Sequence, residues 1–185
     1  MLTPDCRIID GWCAAALVKP SPNFDDRPAG QVIDLLVIHA ISLPPNQFGG
    51  GYVQDFFQNK LDITAHPYFE EIATLKVSSH FLIDRRGQLV QFVATDKRAW
   101  HCGDSNFCGR ECCNDFAIGV ELEGCDEREF CDVQYDRLAQ LTKAIRDAYP
   151  EIAPQNIVGH SDIAPGRKTD PGPCFDWPRY RALLD

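Results

Sequence analysis

The sequence of 185 residues lacks the features that mark several classes of protein. It has no apolar run approaching the roughly 18 residues that a membrane-spanning helix needs. It has no basic run that would bind a nucleic-acid backbone, and no internal repeat. With 18 Lys and Arg against 27 Asp and Glu, its net charge of −9 repels phosphates. We therefore expect neither a membrane protein nor a nucleic-acid-binding protein.

The beginning of the chain also lacks the features of an export signal. The apolar segment 12–18 is short, it follows Asp5 and Asp10, and no region rich in Lys or Arg leads into it. A secretory signal combines a basic start with a longer apolar segment and a cleavage site of small residues. The sequence therefore predicts a cytoplasmic protein.

The nine cysteines lack the spacing of a disulfide framework or a zinc module. Their number is odd, Cys112 and Cys113 are neighbours, and no Cys-x2-Cys pair occurs. Free thiols in a reducing compartment are the interpretation we favour. A metal or redox role for the cluster from Cys102 to Cys113 is the alternative.

The composition is that of one globular domain, with 44% hydrophobic, 24% charged and 10% aromatic residues. The patterns predict a buried strand at 32–38, a short helix at 53–59, a hairpin at 81–93, a strand at 116–123 and a helix capped by Asp132. We expect a single α/β (α+β) domain over 1–185, with a central mixed sheet flanked by helices. Residues 1–30 are predicted to be an arm, mostly loop, packed on the domain.

Three residues could supply metal ligands. His39 closes an apolar strand, and ligand sites in α/β sheets favour the carboxyl ends of strands. His160 and Asp170 lie in segments rich in Gly and Pro, which we predict to be loops. Two imidazoles and one carboxylate form a known catalytic zinc set, with a fourth position left for water. The spacing leaves other sets open, in which His80 replaces a histidine or Cys174 replaces the carboxylate.

Two carboxylates are candidates for a general base. Glu121 and Glu123 are two residues apart on a predicted strand, so both lie on one face of the sheet. A buried carboxylate with a raised pKa would serve as a base, whereas exposed carboxylates would only be solvated. Lys168 is either a solvated loop lysine or a cation that stabilises an oxyanion.

A set of motifs in a fixed order carries a family resemblance. The segments are Leu35-Leu36-Val37-Ile38-His39, Ile41-Ser42-Leu43-Pro44-Pro45, His66-Pro67-Tyr68-Phe69, Arg98-Ala99-Trp100-His101, Asn114-Asp115-Phe116, Ile118-Gly119-Val120-Glu121-Leu122-Glu123-Gly124, Gly159-His160, Asp162-Ile163-Ala164-Pro165 and Arg167-Lys168-Thr169-Asp170-Pro171-Gly172. Together they resemble the AmpD-type 1,6-anhydro-N-acetylmuramyl-L-alanine amidases, zinc enzymes related to peptidoglycan-recognition proteins. The resemblance spans about residues 20–182.

The resemblance implies a fold and an activity. The fold would be that of the amidases and peptidoglycan-recognition proteins. The activity would be hydrolysis of the amide between 1,6-anhydro-N-acetylmuramic acid and L-alanine during cell-wall recycling in bacteria, which lowers the muropeptide signal for β-lactamase induction. The partner would be this small substrate, without nucleic acid or membrane, and we expect a monomer. The alternatives are an amidase acting on intact peptidoglycan and a zinc-less binding module.

The resemblance also implies roles for individual residues. His39, His160 and Asp170 match the Zn²⁺ ligands, Glu121 the catalytic glutamate, and Lys168 the lysine that stabilises the transition state. His101 and Arg167 match substrate-contacting positions. Ala40 and Lys76 depart from the family pattern at two further substrate-binding positions, where Asn and Arg are usual.

Overall fold

We describe the fold from a computed structural model, in which residues 6–185 are described. The first five residues of the predicted arm lie outside this range. The chain forms a single α/β domain around a mixed sheet of six strands, as expected. In chain order the strands are β1 (Leu17–Val18), β2 (Leu35–Ile41), β3 (Phe81–Ile83), β4 (Leu89–Gln91), β5 (Ala117–Glu123) and β6 (Ile157–Gly159).

The strand order across the sheet is β6-β2-β5-β3-β4-β1. Every neighbouring pair is parallel except β3 and β4, which form the antiparallel hairpin that the sequence predicts. The helices are α1 (Tyr52–Phe57), α2 (Pro67–Ile72), α3 (Asp132–Ala148), α4 (His160–Ile163) and α5 (Trp177–Ala182). Short 3-10 turns cover Ile63–Ala65, Cys113–Asp115 and Pro154–Asn156. Two-stranded pairs join Ile8–Ile9 to Trp12–Cys13, Phe24–Asp25 to Arg98–Ala99, and Asn106–Phe107 to Arg110–Glu111.

The two central strands, β2 and β5, are buried on both faces. Their even-numbered apolar residues, such as Leu36 and Val120, share one core with Leu138 and Ile145 of α3. Because strand side chains alternate, the odd-numbered residues lie on the opposite face. Leu35 and Val37 begin that face in a second apolar cluster. Further along the same face, near the carboxyl ends of these strands, lie the polar residues His39, Glu121 and Glu123.

The second arm of the hairpin is buried, although its alternation of polar and apolar residues is typical of a half-buried strand. Gln91 on β4 is fully buried because the N-terminal arm covers it. Its Oε1 accepts a hydrogen bond from Cys13 N (2.7 Å), and its Nε2 donates to Gly11 O (2.8 Å). The alternating pattern of polar and apolar residues thus marks a strand, but the polar position bonds to protein instead of water.

The N-terminal arm is mostly loop, but it also adds a strand to the sheet. Its residues 17–18 form β1, the parallel edge strand beside β4. The Arg27 guanidinium is largely buried and donates to four backbone carbonyls, those of Thr95, Asn114, Asp115 and Ala117. These bonds attach the arm to the domain through backbone groups, which leave no recognisable pattern in the sequence.

Two helix boundaries also differ from the predictions. The N-cap of α3 is Cys131, one residue before the predicted Asp132, and Cys131 N donates to the Gln134 side chain at 3.0 Å. Asp132 lies in the first turn, where a negative charge is favourable. His160 begins helix α4 instead of lying in a loop. No helix of the described residues is long and apolar enough to cross a membrane.

The nine cysteines lie within the described residues, and no disulfide joins them. Cys6 Sγ lies 3.3 Å from Cys13 Sγ, which is a contact and not a covalent bond. Cys102 and Cys113 are buried, whereas Cys108 and Cys112 are exposed.

Candidate metal centre

Three donor atoms, one of them distant in sequence from the other two, meet in one small triangle. His39 Nδ1 lies 3.0 Å from His160 Nδ1, and Asp170 Oδ2 lies 3.1 Å from each of these nitrogens. This is the one cluster of potential metal ligands found among residues 6–185. The alternative sets that include His80 or Cys174 are therefore not formed.

Each donor is positioned by a different element. His39 lies on β2, which continues past it to Ile41. His160 follows β6 directly, is the first residue of α4 and is buried. Asp170 lies in the Pro- and Gly-rich loop after α4, and its carbonyl accepts a hydrogen bond from Ser161 N at 2.9 Å. The loop is therefore tied to the helix that carries the second histidine.

The far nitrogen of each histidine ring also has a partner. His39 Nε2 lies 2.9 Å from His101 Nδ1, and His160 Nε2 lies 2.9 Å from the Cys102 carbonyl oxygen. A carbonyl only accepts, so His160 Nε2 carries the proton and Nδ1 has the free lone pair. Such outer hydrogen bonds commonly fix the tautomer of a metal-binding histidine.

The electrostatic environment favours the metal-binding forms of these side chains. Burial lowers the pKa of His39 to about 4, although the neighbouring Asp170 acts in the opposite direction. Burial acts to raise the pKa of Asp170, but its contacts with His160 and His39 outweigh burial and hold that pKa below its ordinary value. A neutral imidazole and an ionised carboxylate are the forms that bind metal.

The donor set fits a zinc ion. Tetrahedral Zn²⁺ with bonds of about 2.0–2.1 Å separates its ligands by about 3.3 Å, close to the edges of this triangle. Two imidazoles and a carboxylate make three protein ligands, the number in catalytic zinc sites that leave a fourth position open.

Glu121 lies beside the triangle on the neighbouring strand. It is the direct register partner of His39 across the parallel pair of β5 and β2. Its side chain is buried, and Oε2 has no hydrogen-bond partner among the described residues. Burial, and then the charge of Asp170, raise the pKa of Glu121 well above its ordinary value, while Lys168 opposes them. A carboxylate in this state is suited to take up and release a proton.

Glu123 has a different environment, although both carboxylates lie on one face. Its Oε1 accepts from Gly49 N at 2.6 Å and its Oε2 accepts from Arg85 N at 3.2 Å. Glu123 therefore anchors two loops, and it lines a separate cavity. The structure separates two residues that the sequence pattern leaves equivalent.

An open cleft of about 630 Å³ lies over the triangle and Glu121. Ala40, His101, Arg167 and Lys168 also line it, whereas the exposed Lys76 is not part of its lining. Arg167 lines the cleft, but its guanidinium donates to the Cys102 and Asp104 carbonyls. An aromatic and aliphatic wall completes the cleft, formed by Phe56, Phe57, Tyr68, Ile72, Leu75, Val77 and Trp100.

A family model for N-acetylmuramoyl-L-alanine amidases matches residues 29–173, which include every member of this site. The chain belongs to that amidase family. The amidase is 58% identical over 179 residues to the 1,6-anhydro-N-acetylmuramyl-L-alanine amidase AmpD of Haemophilus influenzae, covering 97% of this chain and 92% of the relative.

Solved structures agree with this assignment. A crystal structure of an AmpD selenomethionine derivative superposes on the amidase with a TM-score of 0.93 and 53% identity, covering 96% of this chain and 99% of that one. The Escherichia coli amidase AmiD, solved with anhydro-N-acetylmuramic acid-L-Ala-D-γ-Glu-L-Lys, matches with a TM-score of 0.61 and 27% identity. That match covers 97% of this chain and 65% of AmiD.

Sequence reasoning did not identify several residues of the amidase site. Asn114 and the Cys102 carbonyl lie behind the histidine ligands, and Tyr68 and Trp100 line the cleft. The sequence could have indicated three of these side chains, since Asn114, Tyr68 and Trp100 belong to motifs that carry the family resemblance. The carbonyl leaves no sequence signal, because every residue has one.

Proposed function

We propose that this amidase is a zinc enzyme that hydrolyses the amide between the lactyl group of 1,6-anhydro-N-acetylmuramic acid and L-alanine. The observation that carries the proposal is the triangle of His39, His160 and Asp170 beside the buried, unpartnered Glu121 at the base of an open cleft. The substrate follows from similarity to AmpD. The same similarity supports a cytoplasmic role in recycling wall fragments, which would lower the muropeptide signal for β-lactamase induction.

His39, His160 and Asp170 would hold the zinc ion. When bound, Zn²⁺ lowers the pKa of a coordinated water from about 15.7 to about 7 and polarises the scissile carbonyl. Neutral imidazoles with a free lone pair on Nδ1 and an ionised carboxylate are the forms that would bind this ion. Two imidazoles and a carboxylate also hold the catalytic zinc of other hydrolases.

Glu121 would act as the proton carrier. Its unpartnered oxygen takes the proton of the attacking water and then delivers it to the leaving nitrogen of L-alanine. Its raised pKa makes the protonated intermediate form accessible near neutral pH. Lys168 lies on the cleft lining, where its ammonium group would stabilise negative charge on the former carbonyl oxygen.

Substrate binding would use the remaining lining residues. Ala40 lies beside His39 at the cleft, but its methyl group packs against the core on the other face of the sheet, so it would contact substrate through its backbone. His101 and Arg167 also line the cleft, but both already bond to protein groups near the ligands. Lys76 would reach only the periphery of a bound muropeptide, because it is exposed outside the lining.

The test is product analysis on two substrates. Purified protein is incubated with anhydro-N-acetylmuramic acid-L-Ala-D-γ-Glu-L-Lys, and mass spectrometry follows release of the free peptide with and without a chelator. Intact sacculi serve as the second substrate. We expect release of the peptide, loss of activity with chelator and recovery with zinc.

Other outcomes would contradict the proposal in different ways. Preferential release from sacculi would point to an amidase of intact peptidoglycan. Muropeptide binding without hydrolysis in a protein that retains no metal would point to a binding module.

A further inference from the structure

Two consecutive residues lie behind both histidine ligands. The His101 side chain faces His39 Nε2, and the Cys102 carbonyl accepts from His160 Nε2. The sequence position of this dipeptide is far from both histidines, and it belongs to neither β2 nor α4. Whatever holds the dipeptide therefore sets the outer hydrogen bonds of both ligands at once.

Asn114 holds the dipeptide by its backbone. Asn114 Oδ1 accepts a hydrogen bond from His101 N at 3.1 Å and another from Cys102 N at 2.8 Å. The Asn114 side chain is buried, so water does not offer these two N–H groups an equivalent partner. The 3-10 turn that carries Asn114 is itself anchored, because Arg27 Nη1 donates to the Asn114 carbonyl at 2.9 Å.

The orientation of His101 is constrained from a second side. Its ring packs on Gly119 of β5, where a Cβ atom would stand 2.5 Å from His101 Nδ1. Cys102 Sγ lies 3.2 Å from the same nitrogen. In the metal-binding form, His39 Nδ1 keeps its lone pair for the metal, so its Nε2 carries the proton and donates to His101 Nδ1. His101 Nδ1 then holds this tautomer of His39, as the Cys102 carbonyl holds that of His160.

We propose that Asn114 is a positioning residue of the metal centre: by accepting both backbone N–H groups of the His101–Cys102 dipeptide, it fixes the Nε2–H tautomer on both histidine ligands. The inference rests on the proposed metal site. It adds a residue that touches neither metal nor substrate and acts through two others.

We predict a loss of metal affinity, with activity that returns when metal is in excess. Outer-shell substitutions typically weaken metal binding by about 10–100-fold. We expect that loss in Asn114→Ala, measured as the zinc dissociation constant by competition with a chromophoric chelator. Because the ligands remain, saturating zinc should restore much of kcat. A purely structural defect would not be repaired in this way.

Matched variants separate positioning from packing. Asn114→Asp keeps an oxygen that can accept both N–H groups, and we expect its zinc affinity to stay within about threefold of wild type, well inside the usual outer-shell loss. Asn106→Ala makes the same chemical change at an exposed hairpin position, where the side chain accepts from Gly109 N, and should leave zinc affinity unchanged. If Asn114→Ala does not fold without metal, Asn114→Ser replaces it, with an intermediate loss expected.

A second readout does not depend on activity. In metal-free protein, ¹⁵N NMR of the imidazole rings should report Nε2–H for His39 and His160 in wild type, and mixed tautomers in Asn114→Ala. Equal zinc affinity and equal tautomers in wild type and Asn114→Ala would overturn the inference alone. A wild-type protein without zinc affinity would overturn the proposed function together with it.

Discussion

Replacing Glu121 and Glu123 separately by Gln should have opposite effects on activity and stability. Glu121 Oε2 is buried without a partner among the described residues, so Glu121→Gln removes the base without breaking a hydrogen bond at that atom. A positioned general base contributes about 10²–10⁴-fold, so kcat should fall by at least about two orders of magnitude. The unfolding free energy of Glu121→Gln should stay the same or increase, because this variant no longer buries an acidic group.

Glu123→Gln should behave in the reverse manner. Glu123 accepts from Gly49 N and Arg85 N, and an amide has one oxygen for these two donors. Losing one such bond costs about 1–3 kcal/mol of stability. We expect kcat within a few-fold of wild type, because this carboxylate lies at a separate cavity.

The assay pairs steady-state kinetics on the anhydro-muropeptide with urea unfolding and zinc analysis of each variant. Both variants should retain one equivalent of zinc, because neither carboxylate belongs to the ligand triangle. A Glu121→Gln enzyme with near-wild-type kcat and full zinc would refute the assignment of the base. An inactive Glu123→Gln enzyme would show that the proton is carried elsewhere.

Three further predictions concern the metal, the acid response and the thiols. His39→Ala, His160→Ala and Asp170→Ala should each lose stoichiometric zinc and activity while remaining folded by circular dichroism; full zinc in any one would exclude that residue as a ligand. Burial, with a smaller effect of Arg27, lowers the pKa of His80 to about 3. Folding therefore favours the neutral imidazole. This contribution to the unfolding free energy is lost as the pH falls below about 6.5, the pKa of histidine in the unfolded chain. Between about pH 6.5 and pH 5 this one group should reduce the unfolding free energy by about 1.5 kcal/mol, and His80→Gln should flatten that part of the profile measured by urea unfolding. Protein denatured under reducing conditions should titrate nine thiols, and disulfides in freshly purified protein would contradict the free-thiol interpretation.

Local patterns in the sequence predict the central elements well, for physical reasons. The apolar run before His39 and the alternation around Glu121 reflect burial of β2 and β5, which is why both were predicted as strands. The helical spacing of Leu138 and Ile145 reflects their packing on the sheet. Each of these patterns is generated by contacts that a whole element makes with the core.

The same patterns could not predict how distant segments are joined. Alternation places Gln91 at a polar position of a strand, but it does not show that the arm covers this side chain and bonds to it. Only the family resemblance indicates the ligand set, because separations of 121 and 10 residues between the donors carry no local signal. Asn114 was part of a motif, but its acceptor role depends on two backbone N–H groups from another loop.

The site has two parts that differ in local stability, one on the central strands β2 and β5 and one on the loop after α4. His39 and Glu121 are held side by side by the hydrogen-bond ladder of the two central strands. Asp170 and Lys168 share one loop outside the sheet. The free energy of local opening is lowest in loops and highest in core strands. One fluctuation of that loop would therefore withdraw a metal ligand and the oxyanion cation together, while the first histidine and the base keep their spacing. Amide hydrogen exchange should accordingly be slower at the two strands than at the loop. Substrate would then meet a site in which His39 and Glu121 are already in place.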